Sequence, residues 1–229
     1  MTQFSSPDID PRNRKRFVFH ATLFRKLFVA FLRQVFRLFM KMDVHGLENL
    51  PPDGSVVIAC NHVANFDVFP MQLSLPRPIF YMAKSELFKF PLMDVILRNL
   101  GAFPVYRGEK DAWAMKHAQK VLERGQVLGM FPEGTRNKGR GLGLAKTGTA
   151  RMAIETKSPI VPMIINGTDQ FFKGFPHRTN VTVKLLPPLL PNPGESPLSL
   201  TDRLMFSMAA ALPEEMRGVY AEIPKGFVF

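Results

Sequence analysis

Short apolar segments constrain the fold of this 229-residue chain more than any other feature. Each is long enough for a buried strand and too short for a buried helix. They read SVVIAC (55–60), PIFYMA (78–83), AFPVY (102–106), QVLGMF (126–131), PIVPMII (159–165) and VTVKLL (181–186). Helical patterns alternate with them, at Val68–Leu75, Leu87–Asn99, Lys110–Arg124, Gly143–Thr156 and roughly Leu200–Leu212. The alternation predicts an α/β fold in which a mixed, largely parallel central sheet is flanked by helices.

The positive charge is concentrated near the amino terminus. The chain has a formal net charge of +11, and residues 11–42 contain nine basic residues and no acidic one. A strongly basic segment predicts an anionic partner, which can be a nucleic acid, a membrane surface or a phosphorylated substrate. The chain has 21 Phe but only 3 Tyr and 1 Trp. This composition favours lipid over nucleic acid, whose binding surfaces combine stacking aromatic rings with polar groups that read the bases.

The segment Leu23–Lys41 predicts an amphipathic helix. On a helical projection, Phe and Leu side chains fall on one face and Arg and Lys on the other, as in helices that lie in a membrane interface. An ordinary core-facing helix with a solvated basic face is the alternative, and a nucleic-acid arm fits such a wide apolar face least. The predicted organisation is a disordered tail over residues 1–12, membrane-associating helices over 13–42, and one α/β domain over 43–229. No apolar run reaches the roughly 20 residues that span a bilayer.

A histidine and an aspartate lie five residues apart in the segment CNHVANFDVF (60–69). His62 follows the end of a predicted strand, where parallel sheets present catalytic groups. On a regular helix two such residues would diverge by about 140°, so the chain must bend for the side chains to meet. If they meet, Asp67 accepts the Nδ1 proton of His62 and leaves Nε2 free as a general base. The alternative is a structural histidine, with Asp67 as a helix N-cap.

Several other chemistries lack their sequence signals. The single cysteine, Cys60, excludes an intrachain disulfide. The glycine-rich stretch 139–148 is not a phosphate-binding P-loop, because Ala145 rather than glycine precedes Lys146. No G-x-S-x-G, H-E-x-x-H or paired C-x-x-C motif occurs, so serine-hydrolase and zinc chemistry are disfavoured and no metal is predicted.

Three further motifs follow NHVANFD in the chain, namely GAFPVYRG (101–108), FPEGTRN (131–137) and PIVPMII (159–165). In their order and rough spacing, the four motifs resemble those of the glycerolipid acyltransferase family, the 1-acylglycerol-3-phosphate acyltransferases. The resemblance extends over about residues 44–183. It implies transfer of an acyl group from acyl-CoA or acyl carrier protein to the sn-2 hydroxyl of 1-acylglycerol-3-phosphate, giving phosphatidate in phospholipid biosynthesis. No cofactor is implied beyond the thioester co-substrate.

The resemblance also assigns roles to residues. His62 is implied to deprotonate the acceptor hydroxyl, and Asp67 to orient His62. The residues implied to bind the acceptor phosphate are Arg107, Glu133, Gly134, Thr135, Arg136 and, on a looser match, Lys84. Glu133 has an equally good alternative as a structural ion-pair partner of Arg136. Pro162 is implied to lie on the acyl-donor side.

One segment departs from the family pattern. After the third motif, KGRGLGLAKTGTARMA lacks the usual acidic residue and apolar-Pro-Phe run, although Lys146 and Gly148 still match. The acceptor therefore stays open among glycerol-3-phosphate, other lysophospholipids and a lyso-aminolipid. A thioester hydrolase and a non-catalytic basic membrane-surface protein are further alternatives. The predicted partners are a lysophospholipid, the thioester donor and an anionic membrane surface, with no nucleic acid, at the cytoplasmic face of the cell membrane as a peripheral or monotopic protein.

Overall fold

The computed structural model describes residues 10, 12, 17–106, 111–171, 173, 176–222, 224 and 227. Its strands are β1 (Met40–His45), β2 (Val56–Cys60), β3 (Ile79–Lys84), β4 (Ala102–Val105), β5 (Val127–Met130), β6 (Ile160–Asn166) and β7 (Thr179–Leu185). Its helices are α1 (Leu23–Phe39), α2 (Val68–Ser74), α3 (Pro91–Asn99), α4 (Ala112–Glu123), α5 (Gly148–Thr156) and α6 (Pro197–Ala210).

The strands form one seven-stranded sheet in the order β1-β7-β6-β2-β5-β3-β4. All neighbouring pairs are parallel except β6 and β7, which are antiparallel. The predicted mixed, largely parallel α/β fold is therefore confirmed. The strand β2 lies between β5 and β6, with which it is parallel, so the residues that follow these three strands meet at one edge of the sheet.

Helices cover both faces of the sheet. The core cluster on one face joins Val57, Ala59 and Leu128 of the sheet to residues of α4, α5 and α6. The cluster on the other face joins alternate residues of the same strands to α2 and to the inner side of α1. Because β2 is buried on both faces, its sequence is a continuous apolar run rather than an alternation.

The helix α1 begins at Leu23 as predicted and ends two residues before the predicted Lys41, and the helices predicted over residues 13–42 do not continue before Leu23 among the described residues. It begins after Thr22, whose side chain accepts a hydrogen bond from the Arg25 backbone N–H at 3.1 Å, and it ends at Phe39. Residues 17–22 are not helical, and Phe17 and Phe19 pack against the α4 side of the core. Met40–His45 is a strand, so the predicted boundary between residues 42 and 43 falls inside β1. No helix among the described residues has the length and apolarity to cross a membrane.

Only Asp10 and Arg12 of the predicted disordered tail belong to the described part of the chain, and the other ten residues lie outside it. Arg12 does not extend into solvent. Its guanidinium forms ion pairs with Asp10 at 2.7 Å and with Asp111 at 2.5 Å. It also stacks over the ring of Trp113, 4.3 Å from the ring centre. These contacts attach the chain at Arg12 to the start of α4.

Candidate active site

The chain bends between β2 and α2 so that His62 and Asp67 meet. Residues 62–64 are not helical, and Asn65–Asp67 form a 3₁₀ turn that leads into α2. His62 Nδ1 lies 2.8 Å from Asp67 Oδ2. The His62 residue is 7% exposed and Asp67 is 0% exposed. Asp67 occupies the N-cap position of α2, but its side chain makes no cap bond to that helix and contacts His62 instead.

The Asp67 carboxylate is surrounded by donors. Oδ2 also accepts the backbone N–H groups of Val63 at 2.7 Å and Ala64 at 2.9 Å, and Oδ1 accepts the hydroxyl of Thr168. Four donors in a site closed to solvent fix the position of this carboxylate. The Val63 and Ala64 amides, which precede the 3₁₀ turn, are therefore not available to stabilise an oxyanion. Thr168, which follows β6, has no sequence signal that marks it as part of this group.

The bond to Asp67 defines which nitrogen of His62 can react. With Nδ1 facing a carboxylate, the neutral ring carries its proton on Nδ1 and leaves the Nε2 lone pair free. No described residue forms a hydrogen bond with Nε2. The ring of Phe131, which follows β5, stacks on the imidazole with centroids 4.1 Å apart. The imidazole is thus held at one nitrogen and on one face, and this is the geometry of a positioned general base.

Glu133 holds the third motif against His62. Its carboxylate accepts the backbone N–H of His62 at 2.8 Å and that of Gly143 at 2.8 Å, and Asn137 Nδ2 at 3.3 Å. In return, the His62 carbonyl accepts the Asn137 backbone N–H at 2.7 Å. Glu133 is buried, and burial raises the pKa of its carboxyl group although the hydrogen bonds oppose this.

The sequence gives two expectations for Glu133. Its role as a phosphate ligand stays a prediction, against which its burial, its three donors and its negative charge count. The expected ion pair with Arg136 does not form in the described part of the chain, because the Arg136 guanidinium donates to the Asn65 side chain instead. Glu133 is a positioning residue that fixes the backbone of His62. The partner Gly143 lies ten residues further along the chain, so the motif alone gave no sign of this role.

The remaining residues of the third motif lie at the surface beside this pair. Gly134 has a left-handed backbone with φ of 66°, and Thr135 and Arg136 are exposed. The exposed Lys146 side chain lies beside Gly134 of the motif. Its Nζ atom would be 3.5 Å from the Cβ of a larger residue at that position. Arg136 bonds to the turn that carries His62, so the two cations lie at the same edge of the sheet as the imidazole. The sequence indicates Lys146 only as a residue that matches the family pattern after the third motif.

Of two further predicted cations, the structure describes Lys84 but not Arg107. Lys84 is the exposed last residue of β3, and the carboxyl end of this strand lies at the edge that holds His62. A strand, β5, separates β3 from β2, so Lys84 lies beside the His62 group rather than within it. Arg107 lies outside the described residues, which end before it at Tyr106.

Pro162 is inside the sheet. It is buried in β6, with Ala59 as its register partner in β2. Its carbonyl faces β7 and accepts the Leu186 N–H at 2.9 Å. The pairing there contains a bulge, because the Met163–Leu185 and Ile160–Leu189 pairs enclose one more residue on the second strand. A proline, which has no N–H, fits at such a bulge. The place on the acyl-donor side that the resemblance implies for Pro162 stays a prediction.

An amide clamp joins β2 to β6 directly before His62. The Asn61 side chain donates to the Ile165 carbonyl at 2.9 Å and accepts the Ile165 N–H at 2.7 Å. These two bonds continue the hydrogen bonding between β2 and β6 at the point where the strands separate. Cys60, the preceding residue, is fully buried, and burial raises the pKa of its thiol well above the ordinary range. Such a thiol is a poor nucleophile.

An α/β sheet with a buried His–Asp pair at the carboxyl edge, flanked by exposed cations, fits the class of enzymes in which an imidazole acts as a general base. The family comparison narrows this class. A family model described as Acyltransferase matches residues 41–166, more than half of the chain, and the chain belongs to that family. The matched range contains every predicted site residue, and the family resemblance of the motifs is confirmed.

Curated relatives agree with this family. The chain is 34% identical over 135 residues to a 1-acyl-sn-glycerol-3-phosphate acyltransferase of Borreliella burgdorferi, covering 58% of this chain and 54% of that protein. It is 38% identical over 127 residues to the protein of the same name in Bacillus subtilis, covering 55% of this chain and 63% of that protein. The match thus spans between about half and two thirds of the length of these relatives.

The fold also has a solved counterpart. The crystal structure of the 1-acyl-sn-glycerophosphate (LPA) acyltransferase PlsC from Thermotoga maritima superimposes with a TM-score of 0.66. The alignment covers 82% of this chain and 79% of that chain, at 24% sequence identity. At this identity the likeness establishes the common fold.

Proposed function

We propose that this protein transfers an acyl group from acyl-CoA or acyl carrier protein to the sn-2 hydroxyl of 1-acylglycerol-3-phosphate, giving phosphatidate. The observation that carries the proposal is the 2.8 Å contact between His62 Nδ1 and Asp67 Oδ2, with Nε2 left unbonded beside the cationic third motif. The names of the Borreliella and Bacillus relatives support lysophosphatidate as the acceptor.

In the proposed reaction, His62 Nε2 removes the proton from the acceptor hydroxyl as its oxygen attacks the thioester carbonyl carbon. A tetrahedral oxyanion forms, and its collapse breaks the carbon–sulfur bond. The leaving thiolate takes up the proton that His62 carries, so the enzyme returns to its starting state. Asp67 stabilises the transient imidazolium by a charge-assisted hydrogen bond. A thioester is already activated, so this route needs no acyl-enzyme, in agreement with the buried Cys60.

The acceptor phosphate is proposed to bind Arg136 and Lys146, together with Thr135 and the Gly134 backbone. A planar guanidinium binds a phosphate through two hydrogen bonds, and an ammonium adds a point charge. Both cations are exposed and neither forms an ion pair with a described carboxylate, so both remain available for a ligand. Lys84, at the carboxyl end of β3, extends this proposed cationic surface. The resemblance adds Arg107, which lies outside the described residues.

We also propose that α1 lies on the cytoplasmic surface of the cell membrane, as a peripheral or monotopic attachment. Its inner residues Leu32 and Phe36 pack on the sheet, whereas a separate outer stripe is open to solvent. The members of this stripe are Leu23, Phe24, Leu27, Phe31 and Leu38, of which Phe31 is 61% exposed. A continuous exposed stripe of large apolar side chains with basic neighbours is typical of interfacial helices.

Release of free thiol from acyl-CoA tests the enzymatic proposal. Thiol should appear only when lysophosphatidate is present, and His62→Ala should abolish it. Full activity in His62→Ala would refute the role of His62, and thiol release without acceptor would identify a hydrolase. Replacing lysophosphatidate by glycerol-3-phosphate or by another lysophospholipid under the same conditions identifies the acceptor. Acyl carrier protein in place of acyl-CoA identifies the donor.

Binding to vesicles tests the attachment. Removing residues 1–42 would delete part of β1, so substitution in the outer stripe is the cleaner experiment. Leu27→Asp/Phe31→Asp should strongly reduce co-sedimentation with anionic vesicles. Leu198→Asp, on α6 at the opposite face of the sheet, is the matched control, since Leu198 is equally exposed. Equal binding by both variants would show that α1 does not attach the protein to lipid.

A further inference from the structure

A second cationic site lies at the edge of the sheet opposite His62. A cavity of about 220 Å³ separates α1 from the connection between α2 and β3. This connection enters the amino end of β3, whereas the catalytic edge is at the carboxyl ends of the strands. Four basic side chains line the cavity, and no acidic residue of the described chain does so: they are Arg25, Lys26, Arg33 and Arg77.

The three arginines of the cavity donate hydrogen bonds to backbone carbonyls and to no side chain of the described residues, and the Arg25 guanidinium also lies 4.5 Å from the centre of the Phe80 ring. Arg25 Nη2 donates to the Ile79 and Leu100 carbonyls at 2.6 and 3.1 Å, and Arg33 Nε donates to the Leu73 carbonyl at 3.1 Å. Arg77 donates to four carbonyls, among them Gly125 at 2.9 Å. Carbonyl oxygens orient a guanidinium but do not neutralise it. None of these arginines forms an ion pair with a carboxylate in the described part of the chain.

Burial makes this uncompensated charge costly. Arg25 is only 4% exposed, and burial lowers the pKa of its guanidinium to about 10. Burial also lowers the pKa of Arg77, against which only the Asp53 carboxylate acts, and Asp53 is not part of the cavity wall. Buried charges in proteins are normally paired. A cavity bordered by such cations therefore favours an anionic ligand.

Two polar atoms of residues that line the cavity have no hydrogen-bond partner among the described residues. They are Gln72 Oε1 and Arg25 Nε, and both are buried. The class of ligand follows from the charges of the wall. Guanidinium and ammonium groups bind the oxygens of a phosphate, and a cavity of this volume accommodates one.

We propose that this cavity binds a phosphate group, separately from the acceptor phosphate at the catalytic edge. The phosphate can be that of an anionic phospholipid or a soluble phosphate. The arrangement of α1 connects the cavity with lipid, since Lys26, Ala30 and Arg33 lie on the side of the helix next to the outer apolar stripe that contains Leu27 and Phe31. A headgroup in the cavity would thus belong to a lipid in the same leaflet as that stripe.

A pair of charge-matched variants tests the site. Lys26→Gln/Arg33→Gln removes two charges from the cavity wall. Arg37→Gln/Lys41→Gln removes two exposed charges from the same amino-terminal segment, at positions that do not line the cavity. Diffuse attraction to an anionic surface falls in both variants, whereas a bound headgroup is lost only in the first. Unfolding curves verify that both fold, and if the cavity variant does not, the exposed Lys26→Gln alone replaces it.

In the first arm, co-sedimentation is measured with phosphatidylcholine vesicles that contain a minority of phosphatidate, and with phosphatidylcholine alone. The cavity variant should lose roughly tenfold more affinity for the phosphatidate vesicles than the control variant, since a charge-assisted contact is stronger than diffuse attraction. In the second arm, inorganic phosphate and glycerol-3-phosphate are added, and the Tm is recorded for each protein. No acyl donor or lysolipid is present, so neither arm depends on acyl transfer.

A cavity-specific loss in the vesicle arm supports a lipid headgroup as the ligand. A cavity-specific loss of Tm increase with soluble phosphate, without one in the vesicle arm, supports the same site and identifies free phosphate as its ligand. The same response of both variants in both arms would overturn the proposal, because only diffuse charge would then be acting.

Discussion

Replacement of Asp67 by asparagine isolates the charge of the His–Asp pair from its shape. The amide is nearly isosteric with the carboxylate, and it can orient its NH₂ group toward Thr168, whose hydroxyl can rotate to accept. The other oxygen then keeps the three contacts of Oδ2, with His62 Nδ1 at 2.8 Å, Val63 N at 2.7 Å and Ala64 N at 2.9 Å. What the variant loses is the negative charge at the centre of these contacts.

The cost follows from the number of contacts. A hydrogen bond to a charged group contributes about 1.5–3 kcal/mol and one between neutral groups about 0.5–1.5, so each of the three bonds to Oδ2 weakens by about 1 kcal/mol. The free energy of unfolding should therefore fall by about 3 kcal/mol. In the proposed reaction the imidazolium also loses its counter-charge, and kcat/KM should fall by a factor of roughly 10³, or about 4 kcal/mol.

Two measurements on the same preparation verify these values. Urea unfolding gives the free energy of unfolding, and thiol release with saturating acyl-CoA and varied lysophosphatidate gives kcat/KM. Asp43→Asn is the matched control, since the Asp43 side chain is 69% exposed and pairs only with the exposed His45. If Asp67→Asn retains activity within tenfold of the unchanged protein, the carboxylate does not stabilise an imidazolium, and the proposed mechanism fails.

Three further outcomes test the site and its surroundings. Arg136→Ala should raise KM for lysophosphatidate by about 10- to 100-fold with a small change in kcat, because one charge-assisted contact to the phosphate is lost; a fall in kcat alone would contradict this. Glu133→Ala should instead lower kcat and reduce the free energy of unfolding by about 2–3 kcal/mol, since the buried His62 N–H loses its acceptor; an effect on KM alone would contradict the positioning role. His117 lies among aromatic rings, and burial holds its pKa at about 4, below the ordinary 6.5. The unfolded chain takes up this proton at higher pH than the folded one, so stability is fully present above about pH 6.5 and is lost as pH falls toward 4, by about 2 kcal/mol between about pH 7 and pH 5. His117→Phe should remove that part of the pH dependence. Urea unfolding of the variant at these two pH values measures it, and a loss of unfolding free energy equal to that of the unchanged protein would contradict this role of His117.

Elements whose signal is local could be predicted from the sequence. Each of the six apolar runs overlaps a strand of the sheet. A strand buried on both faces, such as β2, needs an unbroken run of apolar side chains, whereas β7 buries alternate residues and its run includes the exposed Thr182 and Lys184. β1 was missed. Its alternation of Met40, Met42 and Val44 with polar residues is a strand pattern, but it directly continues the amphipathic pattern of α1. At such a junction the helical period extends into the strand, and the boundary has no turn residue to mark it.

The helix α5 shows the opposite error. The prediction started it at Gly143, and the structure starts it at Gly148. The backbone N–H of Gly143 is bound by the Glu133 carboxylate at 2.8 Å, and that of Lys146 by the Pro132 carbonyl at 2.9 Å. These tertiary contacts replace the bonds of a first helical turn, and local propensity carries no information about them.

The motif allowed His62 and Asp67 to meet, because its six residues have few ways to bend between a strand and a helix. The partners that fix the pair were not predictable from it. Thr168 is 101 residues from Asp67, and Glu133 is 71 residues from His62. Only the order of strands, with β2 between β5 and β6, brings these residues together. Sequence spacing identifies such a site within one loop, and the sheet topology decides what surrounds it.

The junction of α1 and β1 has a mechanical consequence. The helix ends at Phe39 and the strand begins at Met40, with no residue between them to act as a hinge. A leaflet that holds α1 therefore also sets the tilt and height of the whole sheet above the lipid. The His62 imidazole would then be held at one fixed height above the lipid. Substrate choice would then depend on how far a hydroxyl protrudes from the leaflet, a form of selection that needs no pocket wall.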